Sequence, residues 1–209
     1  MLDVDGVVVS GRPSDGLPWM TDLKRDLGID PTALNEAFFK VYWPKIIVGQ
    51  ADSLACLTLA LQKMNSSVPA SRVLSYWFEM DSGVDHDVLN TVVKLREQGV
   101  RVYLTTNQDH LRAAYLMNDM RLKKAVGGII YSARLGFKKP DQPFFQAAEA
   151  ITLCTAEQHL LVDDTTENVE AARAQGWQVL HWTKASKVQE IRDMLAAQSV
   201  RGFVQDNLD

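Results

Sequence analysis

Asp3 and Asp5 stand two residues apart at the start of the chain, followed by Gly6 and a β-branched run, Val7-Val8-Val9. On an extended segment that spacing points both side chains the same way. Such a pair can bind a hard cation. It can also divide a phosphoryl transfer, one oxygen attacking while the other moves a proton. The same pentapeptide, Asp3 to Val7, equally suits a turn or a calcium loop.

Three further segments carry groups that would complete such a site. Thr105-Thr106-Asn107-Gln108 ends a hydrophobic run, where hydroxyls and an amide can meet phosphate oxygens or simply cap the next helix. Lys138 and Lys139 precede Pro140, and a lysine there can neutralise a carboxylate–phosphate cluster or remain a solvated charge. Asp163 and Asp164 follow the hydrophobic run from His159 to Val162. Adjacent acids at a strand end repel unless a cation or donors sit between them. Taken singly, each segment has an ordinary structural explanation. Together, each at an expected strand end, they point to one site.

The elements that must position these groups follow from hydrophobic periodicity. Gly11 to Pro18 is rich in Gly, Pro, Ser and Asp and reads as a linker. From Trp19 to about Met80 the pattern is helical, with Asp30 placed to cap a helix from Pro31 and Asp52 near the start of another from Ala51. Asp81-Ser82-Gly83 reads as the return linker. Beyond it, helices and strands alternate. Strands are expected at Val100 to Leu104, Gly128 to Tyr131, His159 to Val162 and Trp177 to Trp182. Helices are expected at Asp85 to Gln98, His110 to Ala125, Pro140 to Ile151, Glu167 to Gln175 and Lys187 to Ala197, with a frayed tail from Gln198. Alternation at these lengths predicts an α/β fold, a parallel sheet covered by helices on both faces. In such sheets ligands bind beyond the carboxyl ends of the strands, where all four segments fall.

Asp-x-Asp-Gly-Val, then Thr-Asn after a strand, then Lys-Pro-Asp, then Asp-Asp-x-x-x-Asn resembles the four motifs of the haloacid dehalogenase-like hydrolase superfamily. The likeness covers the opening residues and roughly Val84 to Trp182. It implies a Rossmann-like core formed by residues 1–11 plus 84–209, and an inserted α-helical cap at residues 12–83. It also implies a Mg2+-dependent phosphomonoester hydrolase. Asp3 would be the nucleophile that forms an aspartyl-phosphate, and Asp5 the acid and then the base. Thr106 and Asn107 would bind phosphoryl oxygens, and Lys139 would stabilise nucleophile and phosphate together. The ligands of Mg2+ would be the Asp3 carboxylate, the Asp5 main-chain carbonyl and Asp164, with Asp163 holding metal-bound water or contributing directly. Lys139 is preferred to Lys138 because it directly precedes the proline, and Thr106 to Thr105 because it directly precedes Asn107.

The alternatives within this resemblance are a phosphosugar mutase, a haloacid dehalogenase, or a weakly active binding protein. Displacement at carbon needs no metal, and the position of Asp5 is then normally not acidic, so Asp5, Asp163 and Asp164 favour phosphate. Tyr42, Trp43 and Lys45 near an expected cap turn are either substrate contacts or, the commoner fate, cap core and solvated charge. Where family members place several apolar residues before the nucleophile, this sequence has Met1 and Leu2. The expectation is a shortened central strand, from a misassigned start or a truncation. The N-terminal ammonium would lie roughly 7 Å from Asp3, at ~3.3 Å per residue, and favour its ionised form.

Composition narrows the partners. The 209 residues can bury a full core, and a net charge of −4 gives no electrostatic case for nucleic acid or an anionic membrane. The expected partner is a small phosphorylated substrate. No eighteen-residue apolar run or signal peptide is evident, so a cytoplasmic enzyme is expected. Cys56 and Cys154 are expected as buried reduced thiols in helices. The four histidines have no zinc spacing, and nothing in the sequence sets an oligomeric state.

Overall fold

A computed structural model describes residues 1–205, with side-chain surroundings to residue 197. Four parallel strands end the alternating units: β1 (Tyr103–Thr106), β2 (Gly128–Tyr131), β3 (Leu160–Asp163) and β4 (Gln178–His181). β1 pairs with β2, and β3 pairs with β4. Leu2 lies between the two pairs, bridged in parallel to Leu104 on one side and Val162 on the other. The strand order is therefore β2-β1-Leu2-β3-β4, with the N-terminal segment as the central rung.

That segment is short but bonded on both edges. Leu2 N donates to Tyr103 O (2.9 Å) and Thr105 N to Leu2 O (2.8 Å). On the other edge Asp3 N donates to Val162 O and Val162 N to Met1 O, both at 2.9 Å. The N-terminal amine donates to Leu160 O at 2.8 Å. Burial, and then the charge of Lys139, push its pKa down to about 5. It therefore does not supply the positive charge expected to favour ionised Asp3.

Helices cover both faces. Leu2, Leu104, Leu160 and Val162 pack against residues of α6 (His86–Glu97), α7 (His110–Asn118) and α11 (Val188–Gln205). Ile130 and Leu161 face α9 (Gln142–Thr152) and α10 (Thr166–Ala174) through Phe144, Phe145, Ala148 and Ala172. The period-two alternation of β3 thus buries both sides, which is why its sequence is continuously apolar.

Several boundaries shift for local reasons. β1 begins at Tyr103, later than expected, because Val100 N closes the preceding helix on Leu95 O after Gly99 turns at φ +90°. Pro140 lies in a turn, and α9 starts at Gln142 with Asp141 at its N-cap. The helix expected to Ala125 stops at Asn118, where Asn118 and Asp119 are poor helix formers, and a 3-10 turn follows at Leu122–Lys124. α11 runs to Gln205 where fraying was expected, and the last part of that tail, residues 206–209, lies outside the described residues. Both cysteines are free, but Cys154 follows α9 in a turn and is only partly buried.

Described residues 19–83 contain helices and turns. They form α1 (Leu23–Leu27), α2 (Pro31–Leu34), a π-helical turn at Asn35–Phe39, α3 (Lys40–Ile46), α4 (Ser53–Lys63) and α5 (Ala70–Met80). Asp30 and Asp52 cap α2 and α4, accepting from Ala33 N (3.1 Å) and Ala55 N (2.7 Å). Trp19 stacks on Trp77 with centroids 5.3 Å apart, and Phe39 and Trp43 complete an aromatic cluster. Tyr42 is also packed there, its hydroxyl 3.1 Å from Lys63 Nζ, and Lys45 is exposed in the last turn of α3. The two linkers lie side by side: Ser10 N donates to Gly83 O (2.8 Å) and Gly83 N to Gly11 O (2.9 Å). A Cβ at Gly83 would meet Ser10 O at 2.6 Å, so glycine is needed for that approach. Among the described residues no helix is long and apolar enough to cross a membrane.

Because Leu2 joins both halves of the sheet and is 4% exposed, Leu2→Ala should destabilise the protein by about 2–5 kcal/mol. Urea unfolding of the two proteins measures this; a loss below about 1 kcal/mol would mean the rung is not central to stability.

Candidate active site

Asp3, Thr106 and Asp163 end the central segment, β1 and β3, so the parallel sheet delivers all three to one edge. The loop before α9 brings Lys139 into the same space. Its side chain is 1% exposed, with Nζ 3.1 Å from Asp3 Oδ1, 2.5 Å from Asp163 Oδ2 and 2.8 Å from Thr105 O. Asn107 fixes this lysine by its main chain: Asn107 Nδ2 donates to Lys139 O and Lys139 N donates to Asn107 Oδ1, both at 2.8 Å. The Asn107 amide is thus engaged with a peptide group, though the residue still lines the pocket.

Asp163 is wholly buried. Thr165 N donates to its Oδ1 at 2.9 Å, and Asn168 Nδ2 bonds both oxygens at 3.0 and 3.2 Å. Asp164 is exposed and faces Gly6, where φ is +80° and a Cβ would lie 2.1 Å from its Oδ2. Val4 N donates to Asp3 Oδ1 at 2.7 Å. Gln108 Nε2 donates to Asp5 Oδ2 at 2.5 Å. One pocket collects Asp3, Asp5, Gly6, Thr106, Asn107, Lys139, Asp164, Thr165 and Asn168. All seven residues expected to do chemistry are thus in one place: six line the pocket, and Asp163 stands directly behind, gripping Lys139. Thr105 is not in the lining; its hydroxyl is buried without a partner, and its carbonyl serves Lys139.

Sequence reasoning gave no role to Gln108 or Asn168. Asn168 was visible as the end of the Asp-Asp-x-x-x-Asn run, five residues beyond the one acid it bonds, Asp163. Gln108 carries no local signal for its contact with Asp5, 103 residues away.

The charges are unbalanced. Burial pushes the Asp3 carboxyl up to about 6, with the Asp163 charge adding to it and Lys139 pulling against it. Asp5 opens to solvent in the pocket, but the surrounding protein strips much of its hydration. Its carboxyl rises to about 7, helped by the charges of Asp81 and Asp3 against those of Arg112 and Lys139. Asp164 is raised by burial and by Asp163. Burial works against the Lys139 ammonium, but Asp3 and Asp163 hold its proton above the usual lysine range. One buried cation among this many acids leaves a demand for more positive charge.

Carboxylate oxygens of Asp3, Asp163 and Asp164 lie within 4.8 Å of one another. An all-oxygen set that leaves room for water suits Mg2+. Both Asp163 oxygens already carry donors, so Asp3 and Asp164 are the freer ligands. The Gly6 cradle admits the Asp164 carboxylate where any side chain would block it.

Residues 83–181 match the sequence profile of the haloacid dehalogenase-like hydrolases. Over that stretch, just under half of its length, the chain resembles this family. The matched stretch holds the second, third and fourth motifs; Asp3 and Asp5 precede it. A sesquiterpene phosphatase of Aspergillus oryzae is 33% identical over 108 residues, 49% of this chain and 53% of that protein. A phosphoglycolate phosphatase of Pseudomonas putida is 32% identical over 96 residues, 46% of this chain and 35% of that protein. The chain thus spans about half the length of the first relative and about a third of the second. A haloacid dehalogenase family enzyme of Bacteroides thetaiotaomicron, in complex with magnesium and inorganic phosphate, superposes with a TM-score of 0.70 at 14% identity. The match covers 89% of this chain and 94% of that one, and it shows a shared fold.

Two outcomes follow from this geometry. Gly6→Ala should abolish the rise in melting temperature on adding Mg2+, since the new Cβ collides with the Asp164 carboxylate; an undiminished rise would remove Asp164 from the ligand set. The second concerns pH. Folded Asp3 binds its proton more tightly (about 6) than the unfolded chain does (3.8). It therefore costs nothing below pH 4 and destabilises increasingly up to about pH 7. In metal-free buffer Asp3→Asn should gain stability relative to wild type as pH rises from 4 to 7. Parallel melting curves across that range would contradict the assignment.

Proposed function

We propose that this protein is a Mg2+-dependent phosphomonoester hydrolase that acts on a small phosphorylated metabolite through an aspartyl-phosphate intermediate. The observation that carries the reading is the Lys139 ammonium between Asp3 and Asp163, with Asp5 on the same pocket. A phosphate dianion needs concentrated positive charge, an in-line nucleophile and a proton donor on the leaving side. Lys139 provides a fixed cation. Asp3, held at Oδ1 by Val4 N and Lys139, has Oδ2 for attack on phosphorus. As the Asp3–phosphorus bond forms and the bond to the leaving oxygen breaks, Asp5 gives that oxygen its proton. In the second step Asp5 takes a proton from water as the water oxygen attacks phosphorus and Asp3 is released.

Thr106, Asn107 and Lys139 bind the phosphoryl oxygens. The Asp3 and Asp164 carboxylates and the Asp5 main-chain carbonyl, with Asp163 behind them, would hold Mg2+, which would supply further positive charge to the phosphoryl group. The rise of the Asp5 carboxyl to about 7 suits a group that must donate a proton near neutral pH. It also favours phosphate over displacement at carbon, which asks for no acid there. Residues 1–11 plus 84–209 then form the core, and residues 12–83 a cap. That helical unit is fastened to α7 at two points. Ser53 Oγ donates to Asp109 Oδ1 at 2.8 Å, and Arg112 binds the carbonyls of Phe78 (3.1 Å) and Asp81.

Separating the two aspartates tests this directly. Asp3→Asn should form no covalent intermediate with any ester. Asp5→Asn should lose ~10²–10⁴-fold on alkyl phosphates. With an aryl phosphate, whose leaving group needs little protonation, it should accumulate phosphoenzyme on a peptide containing Asp3, seen by mass spectrometry. Wild-type turnover of alkyl phosphates by Asp5→Asn, or full activity in a chelator, would sink the proposal.

A further inference from the structure

Asp5 differs from the other acids of the site in how little holds it. Asp163 accepts from Lys139, Thr165 and Asn168, and Asp3 from Val4 and Lys139. Among the described residues one hydrogen bond reaches the Asp5 carboxylate, from Gln108 Nε2 to Oδ2. Asp81 and Asp3 repel this carboxylate while Arg112 and Lys139 attract it, but none of them fixes its orientation through a hydrogen bond.

Gln108 is built to select one. It is 4% exposed, an expensive place for a flexible amide unless its polar end is engaged. Its main chain is tied down from α8 (Ser132–Leu135): Ala133 N donates to Gln108 O at 3.2 Å, and Ser132 Oγ does so at 3.3 Å. The residues on either side are fixed as well. Asn107 is paired with the Lys139 peptide, and Asp109 accepts from Leu111 N at 2.9 Å as the cap of α7. The amide therefore approaches Asp5 from a rigid base.

We propose that Gln108 is the positioning residue of the acid–base step, an inference that rests on the phosphatase reading above. Its N–H occupies Oδ2, so Oδ1 is left as the oxygen that gives a proton to the leaving group and takes one from water. Gln108 itself touches neither substrate nor phosphate. It acts through Asp5, so its effect should follow the need for protonation and vanish where Asp5 has no carboxyl.

The test uses Gln108→Leu, similar in volume and without a donor, on an alkyl and an aryl phosphate. Single-turnover phosphorylation by the alkyl ester should slow ~10–10²-fold, the scale of a misplaced catalytic group. With the aryl ester it should change less than about threefold, with KM unchanged for both. In an Asp5→Asn background Gln108→Leu should cost nothing further. If the leucine variant does not fold, Gln108→Asn, one methylene too short to reach, carries the same test. Equal losses on both esters, or the same loss with and without the Asp5 carboxyl, would overturn the proposal while leaving the phosphatase reading intact. A wild-type protein that turns over neither ester would overturn both.

Discussion

A lysine ammonium with 1% exposure is the constraint around which the rest is arranged. Burying that charge alone would cost several kcal/mol, and it is tolerated because two carboxylates and a carbonyl surround it. Those partners come from three places: Asp3 from the central segment, Asp163 from β3 and Thr105 from β1. The interaction that holds Asp3 in the pocket therefore also fastens the neighbouring strand ends together. It is not neutral, however. Two acids share one cation, with Asp5 and Asp164 close by, and loss of hydration first, then neighbouring negative charge, raises the carboxyls of Asp3, Asp5 and Asp164. A bound divalent ion would offset the negative charge that the protein alone leaves there.

Much of this was legible in the sequence, and what was not has a physical reason. The placement of Thr106, Asp163 and Asp164 was readable because strand ends announce themselves by a hydrophobic run that stops at polar groups, and that of Asp3, Asp5 and Lys139 from the spacing of the motifs that carry them. The helix cap Asp30 was readable because capping is a local contest over a few N–H groups. Strand starts were less so: Val100 looks like strand but spends its N–H closing a helix. Pro140 looked like a helix opener and is a turn residue. The pairing of the Asn107 amide with the Lys139 peptide, 32 residues away, was not foreseen. Such pairings depend on the register of a sheet, and no local pattern encodes them.

The inserted helices show the same division between local and distant. Their apolar spacing predicts an aromatic core, and Trp19, Phe39, Trp43 and Trp77 form one. What the spacing does not foretell is their attachment. α7 carries Asp109 and Arg112 within one helical turn, and these meet the start of α4 and the end of α5. Arg112 also lies over the rings of Phe78 and Tyr115, at 5.4 and 5.6 Å from their centres. Because α7 begins right after the Thr106-Asn107-Gln108 run, one rigid junction positions the floor of the pocket and the helices beside it.

The central rung has a consequence for how the chain is assembled. Leu2 and Asp3 bond to residues more than a hundred positions later in the sequence, Tyr103 and Thr105 on one edge and Val162 on the other. During synthesis they wait without a partner until β1 emerges, and the second edge stays open until β3 follows. The helices between Leu23 and Met80 need no such delay, since their core draws almost entirely on residues of that stretch. Low sequence separation favours early folding, and long-range parallel pairing is slow. Asp3, carried by that rung, is thus among the last residues to reach its native place, and the site cannot form before the sheet has closed around it.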